Sequence, residues 1–183
     1  MGHNLVLTVC ALFLFGTFVL AARDIMATNA RIADRSEYSL TAISLAQSII
    51  DEAKTKAFDN RTVNRWLAVP TDSLSSFLGV DVSSEEISLP DSSSSGAYLS
   101  LSRYNDVDDY NQYVRIINTA RARGYTMFVE VRYVNENDPE SESYTPTYLK
   151  RMDVTVTCPS ISELNAVTSM DVLPFRLSYF FAY

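Results

Sequence analysis

The feature that most constrains this chain is an uncharged apolar segment near its start. Residues 5–22 (LVLTVCALFLFGTFVLAA) contain no charged side chain, and Thr8 and Thr17 are the only clearly polar ones. Eighteen such residues lie at the lower edge of what a transmembrane helix requires. Three interpretations are open: a cleaved secretory signal, a permanent membrane anchor, or a helix that first anchors the chain and later forms the core of an assembly. Against a signal peptide, no Lys or Arg precedes Leu5.

The apolar segment runs into a second region with helical character. Residues 23–58 are good or tolerable helix formers, with many Ala, Ile, Leu, Glu and Lys. Apolar positions recur there at spacings of three and four, which is typical of an amphipathic helix. The sequence therefore predicts one helix with an apolar segment over 1–22 and an amphipathic continuation over 23–59. The residues expected to pack against a sheet are Ile43, Ala46, Ile50 and Ala53, with Leu45 and Ile49 on the flank of that stripe.

The rest of the chain divides into a loop-rich connector over 60–96 and a strand-rich region over 97–183. Proline and glycine punctuate the connector, whereas residues 126–134 and 149–157 alternate between apolar and polar side chains. Residues 97–102 alternate weakly, and 173–183 form a last apolar run. Alternation with one polar face is typical of an antiparallel sheet covered on one side. The predicted fold class is α+β: a long N-terminal helix whose C-terminal half packs on an antiparallel β-sheet of about four strands.

Composition and motifs indicate a protein that is not an enzyme. The 183 residues include 15 Lys and Arg against 22 Asp and Glu, a net charge of −7, which argues against a nucleic-acid partner. The single histidine, His3, lies at the start of the chain and leaves most catalytic triads and histidine-metal sites without their base or ligand. Asp51 and Glu52 are neighbours on a helix and do not face each other. We expect Lys54 and Lys56 to pair with them.

Several stretches of sequence resemble type IV pilin-like proteins, particularly minor pilins and pseudopilins. Residues 42–59 (AISLAQSIIDEAKTKAFD) are similar to an A-x-x-L-A-Q…I-[ED]-E…F-D stretch of that family. The loop DVDDYN at 106–111, the strand VEVRYV at 129–134 and the run YLKRMDVTVTCP at 148–159 follow in the order found in the family. One departure is the absence of any acidic residue before Asp24, where family members carry a glutamate near the helix start.

The resemblance implies a structural subunit of an extracellular type IV pilus-like filament, such as one that serves cell adhesion. The subunit would reside in the inner membrane and be extracted by inner-membrane assembly machinery. It would then polymerise with copies of itself through the N-terminal helix. The alternative is a membrane-anchored or secreted periplasmic binding module, or a minor pseudopilin of a secretion system that does not form long filaments. The residues expected in the filament core are Leu5, Leu7, Leu12, Phe13, Leu14, Phe15, Gly16, Phe18 and Leu20.

An acidic loop offers a candidate cation site, although the chain is not expected to require a cofactor. Asp106, Asp108 and Asp109 supply carboxylates of the kind that Ca²⁺ takes among its six to eight oxygen ligands. Some pseudopilins bind calcium in a loop of their sheet domain, whereas this loop lacks the glycine and the final glutamate of an EF-hand. The alternative is a solvated turn. Cys10 and Cys158 are expected to be free and buried.

Overall fold

The computed structural model describes residues 2–63, 69–92, 97–120, 122–158 and 174–183. The chain divides into two compact units, Met1–Tyr38 and Ser39–Tyr183. Helix α1 (Gly2–Ala53) begins in the first unit and ends in the second. The described residues also form β1 (Asp91–Ser92), α2 (Ser100–Arg103), β2 (Val114–Ile117), β3 (Tyr125–Asn135), β4 (Asp138–Glu142), β5 (Leu149–Thr157) and β6 (Phe175–Ala182), together with short 3-10 turns at Asn60–Thr62, Thr71–Ser73 and Asp108–Tyr110.

The second unit buries one stripe of α1, and that stripe has Ala42 where the prediction has Ile43. Its five buried members have at most 1 % of their surface exposed: Ala42, Ala46, Ile49, Ile50 and Ala53. The prediction for Ile43 is wrong, because this side chain is 47 % exposed. Position 43 lies about 100° around the helix from position 42, so burial of the small Ala42 turns the larger Ile43 outward. The predictions for Ala46, Ile50 and Ala53 agree with the observed burial.

Helix α1 ends at Ala53, earlier than the predicted end at Asp59. The backbone N–H groups of Thr55 and Lys56 donate to carbonyls three residues back, which tightens the last turn. Beyond that turn, the backbone of Ala57 donates to Asn105 O and accepts from Val107 N, at 3.1 and 3.0 Å. These bonds to a distant segment replace the intrahelical ones, so tertiary contacts override the local helix propensity.

The α+β class is confirmed, but the part of the chain that the structure describes forms a sheet of six strands rather than about four. Its order is β1-β2-β3-β5-β6, with β4 paired to β3, and every pair is antiparallel except β1 with β2. The additional strands lack the predicted pattern: β1 has two residues, β2 has four, and β4 is the polar sequence DPESE. The weak alternation over 97–102 marks the start of α2 instead of a strand.

The two best-patterned strands have the predicted faces. In β3, Met127, Val129, Val131 and Tyr133 are buried, whereas Phe128 and Glu130 on the other face are exposed. Strand β5 has the predicted bounds, and Met152, Val154 and Val156 are fully buried. These rows are paired in register, Val129 opposite Val154 and Val131 opposite Met152. The last strand begins at Phe175, and Leu173 of the predicted run lies outside the described residues.

Ile50 is buried and Ile43 is exposed, and this difference predicts unequal effects of the same substitution at the two positions. Ile50→Ala is expected to lower the free energy of unfolding by about 2–5 kcal/mol, because it removes a buried side chain and leaves a cavity. Ile43→Ala removes the same atoms from a side chain that is 47 % exposed and is expected to cost much less. Urea unfolding of the full chain in a mild detergent, followed by circular dichroism, measures both. Equal losses for the two variants would contradict the observed phase.

Candidate functional sites: the apolar helix and the buried polar clusters

The first part of α1 presents apolar side chains all around the helix. The large apolar residues between Leu5 and Leu20 each expose between 40 and 72 % of their surface. All the predicted filament-core positions are exposed in the protomer: Leu5, Leu7, Leu12, Phe13, Leu14, Phe15, Gly16, Phe18 and Leu20. A Cβ added at Gly16 would meet nothing within 4 Å, so packing inside the protomer does not require glycine there.

The polar groups of this segment are satisfied within the helix. The Thr8 hydroxyl donates to Asn4 O at 2.7 Å, and the Thr17 hydroxyl donates to Leu14 O at 2.9 Å. Hydroxyls bonded to the preceding turn need no water, which suits an apolar environment. The helix is long and apolar enough to cross a membrane, a criterion that buried core helices and signal sequences also meet. This helix therefore has the properties of a membrane anchor or a signal sequence.

A buried polar cluster joins the end of α1 to the sheet in the second unit; we call it the Arg115 cluster. The Arg115 guanidinium contacts both carboxylate oxygens of Glu52, at 2.9 and 3.2 Å, and the Ser100 hydroxyl at 2.5 Å. The Tyr110 hydroxyl donates to Glu52 at 2.9 Å. The cluster comprises Glu52, Asp91, Ser100, Tyr110, Tyr113 and Arg115. Glu52 therefore pairs across the domain instead of with Lys56, while Asp51 forms the expected ion pair with Lys54 at 2.9 Å.

A second cluster surrounds a fully buried lysine on β5; we call it the Lys150 cluster. The Lys150 ammonium lies 2.5 Å from Asp108 Oδ1 and 3.9 Å from Asp59 Oδ2. It donates to the Phe58 carbonyl at 2.7 Å. The rings of Phe58 and Tyr133 lie 4.3 and 5.0 Å from the nitrogen. Because Lys150 and Asp59 are 0 % exposed and Asp108 is 1 % exposed, this charged group is shielded from water.

The acidic loop that contributes Asp108 holds its own backbone together. Asp106 accepts from the backbone N–H groups of Asn60, Asp108 and Asp109, at 2.6, 2.9 and 3.2 Å. Asp109 accepts from the N–H groups of Asn105 and Asp106. All three aspartates are at most 2 % exposed, so the alternative of a solvated turn is wrong.

The calcium candidate is not supported by this geometry. Asp106 and Asp109 are engaged with backbone N–H groups, and Asp108 faces the Lys150 ammonium. Within the described ranges, no group of three or more His, Cys, Asp or Glu side chains is arranged to hold a metal ion. The positive charge next to Asp108 is thus supplied by the Lys150 ammonium, in the place where the prediction put a calcium ion.

Burial of this loop predicts an unusual dependence of stability on pH. Burial raises the pKa of Asp106 to about 6, with a further contribution from the Asp109 charge. Burial also raises the pKa of Asp109 to about 6. A carboxyl whose pKa is higher in the folded state than in the unfolded state binds more protons in the folded state. Protonation of such a carboxyl stabilises the fold at low pH, and this stabilisation is lost as the pH rises through the folded pKa. We expect the free energy of unfolding to fall between about pH 4 and pH 7, by ~1.4 kcal/mol for each pH unit separating the folded and unfolded pKa values of each group.

Urea midpoints measured from about pH 4 to about pH 7, the window that the two pKa values define, test this dependence. The control is Asp109→Asn, since an amide oxygen can still accept the two backbone N–H groups but does not titrate. This variant is expected to reduce the slope of stability against pH. A midpoint that rises steadily with pH in the unmodified chain would contradict the prediction.

Another buried carboxylate, Asp153, lies on the opposite face of the sheet. Asp153 is 1 % exposed and accepts from Arg176 at 2.8 Å and Arg151 at 3.0 Å, and also from Arg132 and Ser178. Burial acts to raise the pKa of Asp153, but the hydrogen bonds from these four residues outweigh it and hold the pKa far below its usual range. Because the donors come from β3, β5 and β6, this carboxylate ties three strands together.

The aromatic side chains near the C-terminus pack against one another and against rings from earlier segments of the chain. Tyr179 and Phe181 form an edge-to-face pair with centroids 4.9 Å apart. Tyr183 contacts the rings of Phe58 at 5.6 Å and Tyr148 at 6.0 Å. Both cysteines are free, as predicted, but only Cys158 is buried, whereas Cys10 is exposed on the apolar helix.

Comparisons with known proteins identified no relative of this chain. No protein-family model, curated protein or solved structure matches the chain.

Proposed function

We propose that this protein is a structural subunit of an extracellular type IV pilus-like filament that polymerises through its N-terminal helix. The observation that carries the proposal is the exposed apolar surface of residues 5–20, on a helix that continues without interruption into a folded α+β domain. The resemblance of residues 42–59, 106–111 and 148–159 to pilin-like sequences supports the same assignment.

The energetics of the apolar segment require a partner surface. Apolar surface left in water costs about 25 cal/mol for each Å², and eleven large side chains between Leu5 and Leu20 are exposed in the protomer. Lipid covers this surface while the subunit resides in the inner membrane. After extraction by the assembly machinery, the helices of neighbouring copies cover it in the filament. Because the threonine hydroxyls are bonded within the helix, the exchange leaves no side-chain hydroxyl of this segment unsatisfied.

The partners in this proposal are therefore copies of the same chain and the inner-membrane machinery that assembles them. Nucleic acid is not proposed as a partner, since the chain carries a net charge of −7. No catalytic activity is proposed. The second candidate is a membrane-anchored or secreted binding module, or a minor pseudopilin that does not form long filaments. It rests on the fact that the same apolar helix meets the criterion for an anchor or a signal sequence.

The intact mass and the N-terminal residue of the protein in material sheared from the cell surface distinguish these functions. A filament subunit is expected to keep residues 5–22 after release, because neighbouring copies cover them, and to sediment as filaments visible by electron microscopy. A permanent anchor would stay with the membrane fraction. A chain that begins near Ala22 or Arg23 would identify a cleaved secretory signal and would overturn the proposal.

A further inference from the structure

We propose that the Lys150 cluster is the site of an intramolecular amide (isopeptide) bond between Lys150 Nζ and Asp108 Cγ. This inference stands apart from filament assembly, since every residue involved lies in the second unit. It rests on a lysine and an aspartate that are buried, adjacent and contributed by distant parts of the chain.

The reacting atoms are already close. Nζ lies 2.5 Å from Asp108 Oδ1, and since a carboxyl C–O bond measures about 1.2 Å, Nζ lies within about 3.7 Å of Cγ. Reactive ground-state geometries place the two atoms about 3–3.5 Å apart. The hydrogen bond from Nζ to Phe58 O, at 2.7 Å, holds the nitrogen in place. Asp108 Oδ2 is buried and has no hydrogen-bond partner among the residues described.

The surroundings favour condensation over a permanent ion pair. The rings of Phe58 and Tyr133 flank the nitrogen and exclude water, and charged groups in such a site are costly to keep unless their pairing is excellent. Proton transfer within the pair produces a neutral amine and a neutral carboxylic acid, which suit this environment better. Burial favours the acid form of the carboxyl, because it raises the pKa of Asp108 to about 7.

The step balances without any external reagent. The ammonium first transfers one proton to the Asp108 carboxylate. The nitrogen lone pair then attacks Cγ, and the C–N bond forms. The remaining proton to be lost from nitrogen passes through the Asp59 carboxylate, 3.9 Å from Nζ, to the departing hydroxyl, so that one Cγ–O bond breaks and water leaves. Nothing is oxidised or reduced.

Asp59 is held beside the reacting pair, and its Oδ2 must close the 3.9 Å gap to Nζ to take this proton. Its two oxygens accept from the backbone N–H groups of Arg61 and Ser75, at 2.8 and 2.7 Å, which fix the carboxylate beside the pair. Asp59 thus acts as a positioned base that returns unchanged at the end of the reaction. The product would join β5 to the turn that precedes β2, in a unit whose single cysteine, Cys158, is free, so no disulfide performs this role.

The test is mass spectrometry of the full chain, purified in detergent and then denatured. The intact mass is expected to be one water molecule lower than the mass calculated for the unmodified chain from its observed N-terminal residue. Trypsin is expected to release a branched peptide in which residues 104–115 are joined to 133–151, because an acylated Lys150 is no longer a cleavage site. Separate peptides 104–115 and 133–150 from folded protein, at the full unmodified mass, would overturn the proposal.

Three variants separate this bond from other losses of water. Lys150→Arg keeps the positive charge but replaces the nucleophilic amine, and is expected to restore the full mass. Asp108→Ala is expected to do the same. Asp59→Asn is expected to slow the appearance of the branched peptide while leaving the reacting pair in place. Persistence of the water loss in Lys150→Arg would identify a cyclised aspartate elsewhere and would overturn the proposal.

Discussion

Replacing Glu52 by alanine is expected to lower the free energy of unfolding of the sheet domain by about 3–5 kcal/mol. The carboxylate accepts from Arg115, Ser100 and Tyr110, and the Arg115 side chain is only 4 % exposed. Alanine would leave a guanidinium buried without its counter-ion and two hydroxyls without an acceptor, and unsatisfied buried groups bear their full desolvation cost. Urea unfolding of the full chain in detergent measures the loss.

The neighbouring residue supplies a matched control for this prediction. Asp51→Ala removes a carboxylate from the same helical turn, but Asp51 is 58 % exposed, and it accepts from Lys54 and Gln47 on the surface. Exposed pairs contribute little to stability, so the urea midpoint is expected to stay close to that of the unmodified chain. A double variant, Glu52→Leu with Arg115→Met, is expected to recover part of the stability that Glu52→Ala loses, since it removes both charges. Equal effects of Glu52→Ala and Asp51→Ala would contradict the role of the cluster.

The two longest strands could be predicted from the sequence, because their apolar and polar residues alternate in step with the buried and exposed faces of the sheet. Strand β5 has the predicted bounds, and the alternating row from Met127 to Tyr133 in β3 is buried as expected. Strand β4 could not be predicted in this way. Its sequence DPESE carries no apolar face, and its place in the sheet depends on pairing with β3 across a tight connection.

In helix α1, the sequence did not determine which of two adjacent apolar residues faces the sheet domain. Ile43 and Ala42 are adjacent, and preference for the larger apolar residue placed the first buried position at Ile43, about 100° around the helix from Ala42, which is the residue that is buried. Burial of Ala42, Ala46 and Ala53 lets the helix lie close to its neighbours. The end of the helix was similarly set by a distant partner, since Ala57 bonds to the segment around Asp106.

The buried polar clusters were missed, although the sequence contains a sign of them. Lys150 occupies the same alternating row as Met152, Val154 and Val156, so the pattern alone places a charge on the buried face of β5. A charge in that position needs an opposite charge. The identity of that partner cannot be predicted locally, because Asp108 and Glu52 reach their partners only through the tertiary fold.

Replacing Phe13 by aspartate is expected to abolish filaments. This prediction rests on the proposed filament function, in which Phe13, 72 % exposed in the protomer, faces the helices of neighbouring copies. A carboxylate at the centre of an apolar helix costs about 2.5–3.5 kcal/mol in a membrane, and in a filament every subunit would bear a comparable cost. Leu14→Lys is expected to have the same effect with the opposite charge. Electron microscopy of sheared material, with immunoblots of the membrane fraction to show that each variant is produced, measures assembly.

The control places the same charge on the same helix outside the apolar segment. Thr28→Asp adds a carboxylate between Arg23 and Arg31, where charged side chains already occur, and is expected to leave filaments intact. Phe13→Leu keeps an apolar side chain at the critical position and is also expected to assemble. The contrast between Phe13→Asp and Phe13→Leu isolates the effect of charge from that of shape. If Phe13→Asp and Leu14→Lys both formed filaments of normal length and number, residues 5–20 would not form the filament core, and the helix would have to be assigned to an anchor instead.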